Sequence, residues 1–116
     1  MERCIRPWGW YENLGSGEGY LVKQLWIAPG QRLSLQRHKH RLEHWYVAAG
    51  EGRISLDGEQ LEASLGSSFD VPCGCVHRAS AGPLGLLIVE IQRGSLLSEA
   101  DIERFADDYG RAEEQP

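Results

Sequence analysis

A chain of 116 residues, 41% hydrophobic and 25% charged, has the apolar content for one compact core but not for two. Its formal charge of −5, with no basic stripe interleaved with aromatics, speaks against a nucleic-acid partner. No apolar run approaches the roughly 20 residues of a membrane span, and the start, MERCIRPW, lacks an apolar signal stretch, so the chain reads as soluble and cytoplasmic.

The charge is unevenly placed. Between Glu99 and Glu114 seven acids face only Arg104 and Arg111, whereas Lys23 to Leu42 holds five basic residues and no acid. Such a basic stretch is either a solvated strand face or a local positive field suited to a small anion. Fourteen glycines and five prolines, spread along the chain, predict many short strands joined by tight turns.

The first element, residues 1–19, reads as an aromatic-rich arm (Arg6-Pro7-Trp8-Gly9-Trp10-Tyr11) that packs over a barrel and ends in a loop at Gly15–Gly19. A strand follows over Tyr20–Ala28, with Lys23, Leu25 and Ile27 on one parity and Val22, Gln24 and Trp26 on the other. Either face fits the inside. If Leu25 and Ile27 point inward, Lys23 does too, and it then needs an anion or a carboxylate.

Pro29-Gly30 opens the densest stretch, PGQRLSLQRHKHRLEHWYVAAG, read as two strands flanking a bend. Ser34, Gln36, His38 and His40 share one parity before the bend; Glu43, Trp45 and Val47 share one after it. A carboxylate on the same face as Trp45 and Val47 points into a core and needs a partner there. A metal ion within reach of Gln36 and His38 is the simplest one.

Beyond Gly50, the segment Gly52–Ala63 is a hairpin about the type I′ dipeptide Asp57-Gly58, with Ile54 opposite Leu61. Gly66–Val71 leads through Pro72-Cys73-Gly74-Cys75-Val76 to His77. Three cysteines, with Cys73 and Cys75 lacking a second pair, read as free thiols. Gly82-Pro83 reads as a chain break before a buried strand, Leu84–Gln92, in which Glu90 lies on the parity opposite Leu87, Val89 and Ile91. Ser98, followed three residues later by Asp101, resembles a capping box; Ile102, Phe105, Ala106 and Tyr109 then recur at helical spacing up to Gly110. The expectation is one domain, 1–116: an arm over about 1–19, an all-β barrel of jelly-roll type over about 20–94, and one C-terminal amphipathic helix over about 98–110.

Two spaced motifs resemble those of the cupin double-stranded β-helix proteins. Gly30, five residues, Gln36-x-His38, four residues, Glu43, six residues and Gly50 match the first; Gly66, Pro72, Gly74 and His77 match the second, with Ala81 where an asparagine is usual. Within that fold the stretches RPWGWYENL, YLVKQLWIAPGQRLSLQRHKHRLEHW, GCVHR, LIVEIQRGSLLSEADI and DDYGR resemble the type II mannose-6-phosphate isomerases, which usually form the C-terminal part of bifunctional guanylyltransferase/isomerases. The sequence departs from that branch at Ala81, Gly52-Arg53, Leu96 and Ala100. It also lacks the branch's glycine-rich nucleotide loop, so nucleotide transfer by this chain alone is not expected.

The resemblance implies one divalent metal held by Gln36, His38, Glu43 and His77, zinc first, with nickel, manganese, cobalt or iron also compatible with N/O donors. A competing register pairs His38 with His40. The resemblance further implies interconversion of mannose 6-phosphate and fructose 6-phosphate through an enediolate, which needs a Lewis acid, a base and a cationic phosphate anchor. His40, Glu90 and Lys23 are the catalytic candidates; Arg41, Lys39 and Arg78 are candidates for the phosphate, with Lys23 also in reach. The partner is then a small sugar phosphate, and a homodimer using Trp8, Trp10 and Trp26 is expected by analogy with cupins. The competing functions are a non-catalytic metal-binding module for a sugar phosphate or nucleotide sugar, and an iron oxygenase.

Overall fold

A computed structural model describes residues 2–114, which form nine strands, a closing 3-10 turn and no α-helix. The strands are β1 (Arg3–Arg6), β2 (Gly9–Gly17), β3 (Tyr20–Ile27), β4 (Leu35–Arg37), β5 (Arg41–Leu56), β6 (Glu59–Ala63), β7 (Ser68–Val71), β8 (His77–Gly94) and β9 (Glu103–Ala106). All pair antiparallel in one curled sheet of order β1-β2-β3-β8-β4-β9, with β5 joined to β6, β7 and β8. β8 is the spine. It pairs with β3, β4 and β5 at once, so its inward residues face those of three other strands.

Two segments that the sequence punctuates as turns run straight through as strands. β5 spans 16 residues and bends at bulges between Val47 and Ala49 and between Gly50 and Gly52. Gly50 sits at φ 80, and a Cβ there would lie 2.0 Å from the Gly85 carbonyl oxygen. Gly50→Ala is therefore expected to cost at least about 1–3 kcal/mol from the left-handed backbone alone, read as a lower urea midpoint. β8 passes through Gly82-Pro83 because its ladder with β5 skips from Ala81 to Leu86, so the N–H that proline lacks is not needed.

The Asp57-Gly58 hairpin forms as read: both residues have positive φ, 47 and 87, and Ile54 pairs with Leu61. Residues 2–19, expected as an arm over the barrel, carry β1 and β2. β1 and β2 extend the sheet through β3, with Trp10 opposite Trp26, and Trp8 is buried in the core rather than free for an interface. The core itself is filled by Ile27, Trp45, Val47, Ile54, Ala79, Leu86 and Ile88.

The C-terminal helix is not formed. Glu103–Ala106 is β9, paired with β4 through Leu35–Ala106, Gln36–Arg104 and Arg37–Glu103. The short strand β4 meets β8 only at Gln36–His77, so its remaining backbone polar groups need a partner, and β9 supplies one. A lone helix of about a dozen residues is marginal in water and does not compete with that pairing. Asp101, expected in a capping box, instead accepts the backbone N–H groups of Lys39 and His40, both at 2.9 Å. Phe105 is left exposed and Tyr109 packs at the margin of the core, its hydroxyl donating to Gln31 Oε1.

Candidate metal centre

β5 presents Arg41, Glu43, Trp45 and Val47 inward, as the alternation predicts. β8 presents Ile88, Glu90 and Gln92, because that parity faces Trp45 and Glu43 of β5 on one side and Lys23 of β3 on the other. The same pairing resolves the open face of β3: Lys23, Leu25 and Ile27 are all buried. These strands close around a cavity of about 130 Å³ whose lining includes Lys23, Gln36, His38, Arg41, Glu43 and Glu90.

Three donors converge beside it. Glu43 Oε2 lies 3.3 Å from His38 Nε2, Glu43 Oε1 lies 3.7 Å from His77 Nε2, and all three side chains are buried. His38 Nδ1 donates to the Asp101 carbonyl at 2.7 Å and His77 Nδ1 to the Cys75 carbonyl at 2.8 Å. Those bonds fix both tautomers, leaving each Nε2 as an acceptor that faces the carboxylate, and His38 Nε2 accepts from Arg41 Nη2 at 3.3 Å. His77 Nε2 has no protein hydrogen-bond partner.

Arg41 answers His38 Nε2 and one Glu43 oxygen, but His77 Nε2 stays buried without a donor 3.7 Å from the other, so the donor set fits a divalent ion. Glu43 is itself held in place, accepting from Arg41 Nε at 2.9 Å and Trp45 Nε1 at 3.0 Å. Gln36 stands opposite His77 in the ladder and lines the cavity; its Oε1 accepts from Ser34 Oγ at 2.8 Å.

Burial sets the protonation states. Desolvation, helped by the Arg41 charge, brings His38 down to about 4, and desolvation also lowers His77, so both imidazoles are neutral and able to ligate. Desolvation, then the charge of Glu43 and a hydrogen bond to it, pushes Glu90 up to about 8.

Below about 6.5 the unfolded chain gains two imidazole protons that the folded chain refuses, while the folded chain keeps one on Glu90. Stability of the metal-free chain thus rises with pH up to about 6.5. From there to about 8 only the folded state holds the Glu90 proton, so stability falls. Urea unfolding across pH 5–8 is expected to show a maximum near 6.5, rising toward it from the acid side and falling by about 1.4 kcal/mol per pH unit beyond it.

A family model described as mannose-6-phosphate isomerase C-terminal matches residues 1–107. The chain belongs to this family. Curated relatives include the mannose-1-phosphate guanylyltransferase of Escherichia coli K12, 41% identical over 91% of this chain and 22% of its own length. Another is the alginate biosynthesis protein AlgA of Pseudomonas aeruginosa, 44% identical over 94% of this chain and 23% of its own. The chain thus spans under a quarter of the curated relatives it matches.

Among solved structures, KdgF from Halomonas sp. superposes with TM-score 0.75 at 17% identity, covering 83% of this chain and 88% of that one. A cupin-2 domain protein from Rhodospirillum rubrum gives 0.67 at 19%, over 79% and 67%. Both likenesses show the fold alone: an all-β, cupin-type barrel.

Within this chain, the candidate residues separate by position. Gln36, His38, Glu43, Arg41, Glu90 and Lys23 line the cavity, and His77 lies behind it against Trp45 and His38. Lys39 and His40 do not reach it. Both are exposed on a neighbouring surface groove, because the bend between β4 and β5 turns their side chains outward while Asp101 holds their N–H groups. His40 is accordingly absent from the His38–Glu43–His77 cluster, so the competing ligand register is not the one assembled. Arg78 lies apart as well, bonded to the Leu33 and Ala106 carbonyls at 3.0 and 3.4 Å.

Reasoning from the sequence misses Ser98, Glu99 and Asp101. Ser98 accepts from Arg41 through its carbonyl, Glu99 meets Lys23, and Asp101 orients His38 through its carbonyl. Backbone acceptors leave no residue-type signal. Only Glu99, an acid close behind a basic stretch in need of a counterion, offered a hint. The described residues include no helix long and apolar enough to cross a membrane. Among the described residues no disulfide forms: Cys4, Cys73 and Cys75 are free.

Proposed function

We propose that this domain is a metal-dependent mannose-6-phosphate isomerase, interconverting mannose 6-phosphate and fructose 6-phosphate. One observation carries the reading: a buried His38–Glu43–His77 donor set opens onto a cavity lined with cations, in a chain whose family carries that activity in its description.

His38, Glu43 and His77 would hold the ion, with Gln36 as a fourth ligand once its amide turns from Ser34, and zinc is the metal we favour for these donors. The bound ion would supply Lewis-acid stabilisation of the negative sugar oxygens that develop as a proton moves between C1 and C2. Moving that proton falls to Glu90, whose carboxyl, raised to about 8, is close to neutrality in proton affinity and lines the cavity. Lys23 and Arg41, both buried, offer the positive charge that a phosphate or an enediolate requires. Trp45, donating from Nε1 to Glu43 Oε1, would hold that carboxylate in place for the ion.

The test is a coupled assay for fructose 6-phosphate using metal-replete chain and mannose 6-phosphate. Turnover that disappears with a chelator and returns with metal is expected; a metal-replete chain without turnover contradicts the proposal. Sugar-phosphate binding without turnover would select a non-catalytic module instead.

A further inference from the structure

Lys23 is 3% exposed, and its ammonium sits 4.4 Å from the centre of the Tyr11 ring. A buried ammonium needs an anion. Among the described residues the one ion pair it makes is with Glu99, Nζ to Oε2 at 2.8 Å, and the two side chains differ sharply in environment: 4% exposed for Lys23 and 55% for Glu99. Glu99 belongs to the segment between β8 and β9, not to a strand. Its neighbour Ser98 accepts from Arg41 Nη1 at 2.9 Å, so two adjacent residues of one loop occupy both buried cations of the cavity. Arg6 lines the same cavity and donates to the Tyr11 hydroxyl and the Ile5 carbonyl rather than to a carboxylate.

We infer that Glu99 is a displaceable stand-in for the phosphate of an incoming phosphorylated ligand. The asymmetry of the pair gives the reason. Releasing Glu99 forfeits its pair with Lys23 but returns to water a side chain that is already 55% exposed, whereas Lys23, at 4%, still needs an anion. A phosphate dianion carries more charge and three acceptor oxygens. It satisfies Lys23 better and leaves acceptors for Arg6 and for the Arg41 group freed from Ser98. Binding then exchanges one anion for another and unfastens the Ser98–Glu99 loop, so the chain keeps its cation site neutralised until the ligand arrives. This inference rests on the sugar-phosphate reading above for the identity of the ligand, and on the Lys23–Glu99 geometry for the mechanism.

Calorimetric titration of metal-free chain with inorganic phosphate tests it without relying on turnover. Glu99→Gln removes the competing charge at an exposed position and is expected to bind phosphate on the order of tenfold tighter than the parent chain, the equivalent of about 1.4 kcal/mol. Adding Lys23→Met to that variant is expected to abolish the gain. In the parent chain, phosphate is expected to speed amide hydrogen exchange at residues 95–100. Affinity unchanged or weakened by Glu99→Gln, or a gain that survives Lys23→Met, overturns the inference. A chain with these affinities but no isomerase turnover keeps the inference and loses the isomerase reading; turnover with affinities indifferent to Glu99 does the reverse.

Discussion

His77→Leu is expected to abolish metal-dependent stabilisation while leaving the metal-free fold nearly unchanged. The imidazole is fully buried, and its Nε2 has no partner in the protein. Leucine, close in volume, removes that orphaned acceptor, an unfavourable buried group worth about 1–3 kcal/mol. It also strands the Cys75 carbonyl, which loses its donor at a similar cost. The two nearly cancel. Metal binding has no such compensation, since one of three convergent donors is gone. At a free zinc concentration one hundred times the dissociation constant, the parent chain gains about 2.7 kcal/mol and the variant none. Thermal melts with and without metal measure both quantities in one experiment.

Arg41→Met is expected to act the other way, damaging the metal-free chain most. Arg41 and Glu43 are 5% and 2% exposed and joined at 2.9 Å. Breaking a buried pair from one side leaves an uncompensated charge, at about 3–5 kcal/mol. A bound cation beside Glu43 offsets part of that loss, so the penalty is expected to shrink when metal is present. Combining Arg41→Met with Glu43→Gln removes both charges and is expected to cost less than the sum of the single changes. Urea unfolding of the four chains, each with and without zinc, reads this coupling. Equal penalties in both states would mean that Arg41 and the metal do not share Glu43.

Much of the site is legible before any coordinates because strand periodicity is rigid: residues two apart share a face, so Glu43 must go where Trp45 and Val47 go. The Asp57-Gly58 turn pins one hairpin register for the same local reason. What the pattern could not decide is which face of an ambiguous strand points inward. Glu90 stands on the parity opposite an apolar trio, and it turns in because β8 is clamped between β3 and β5. Lys23 follows from the same clamp. The C-terminal segment misleads more deeply. Ile102, Phe105, Ala106 and Tyr109 carry a helical period, yet the unpaired edge of β4 claims Glu103–Ala106 as a strand. Long-range pairing overrode local propensity there. The glycine at position 50 serves as a bend within one strand, where the chain approaches Gly85 closely. His40 shares the parity of His38, but the bend that follows breaks the alternation before its side chain can reach the cluster.

In the proposed centre a single divalent ion would sit among His38 Nε2, His77 Nε2 and the Glu43 carboxylate, with Gln36 alongside. Anomalous diffraction at the zinc edge, from crystals grown with zinc, tests it directly. One peak about 2.0–2.2 Å from both Nε2 atoms and a Glu43 oxygen is the predicted result. A peak at the exposed His40 or at Cys73, with the buried cluster bare, would contradict it.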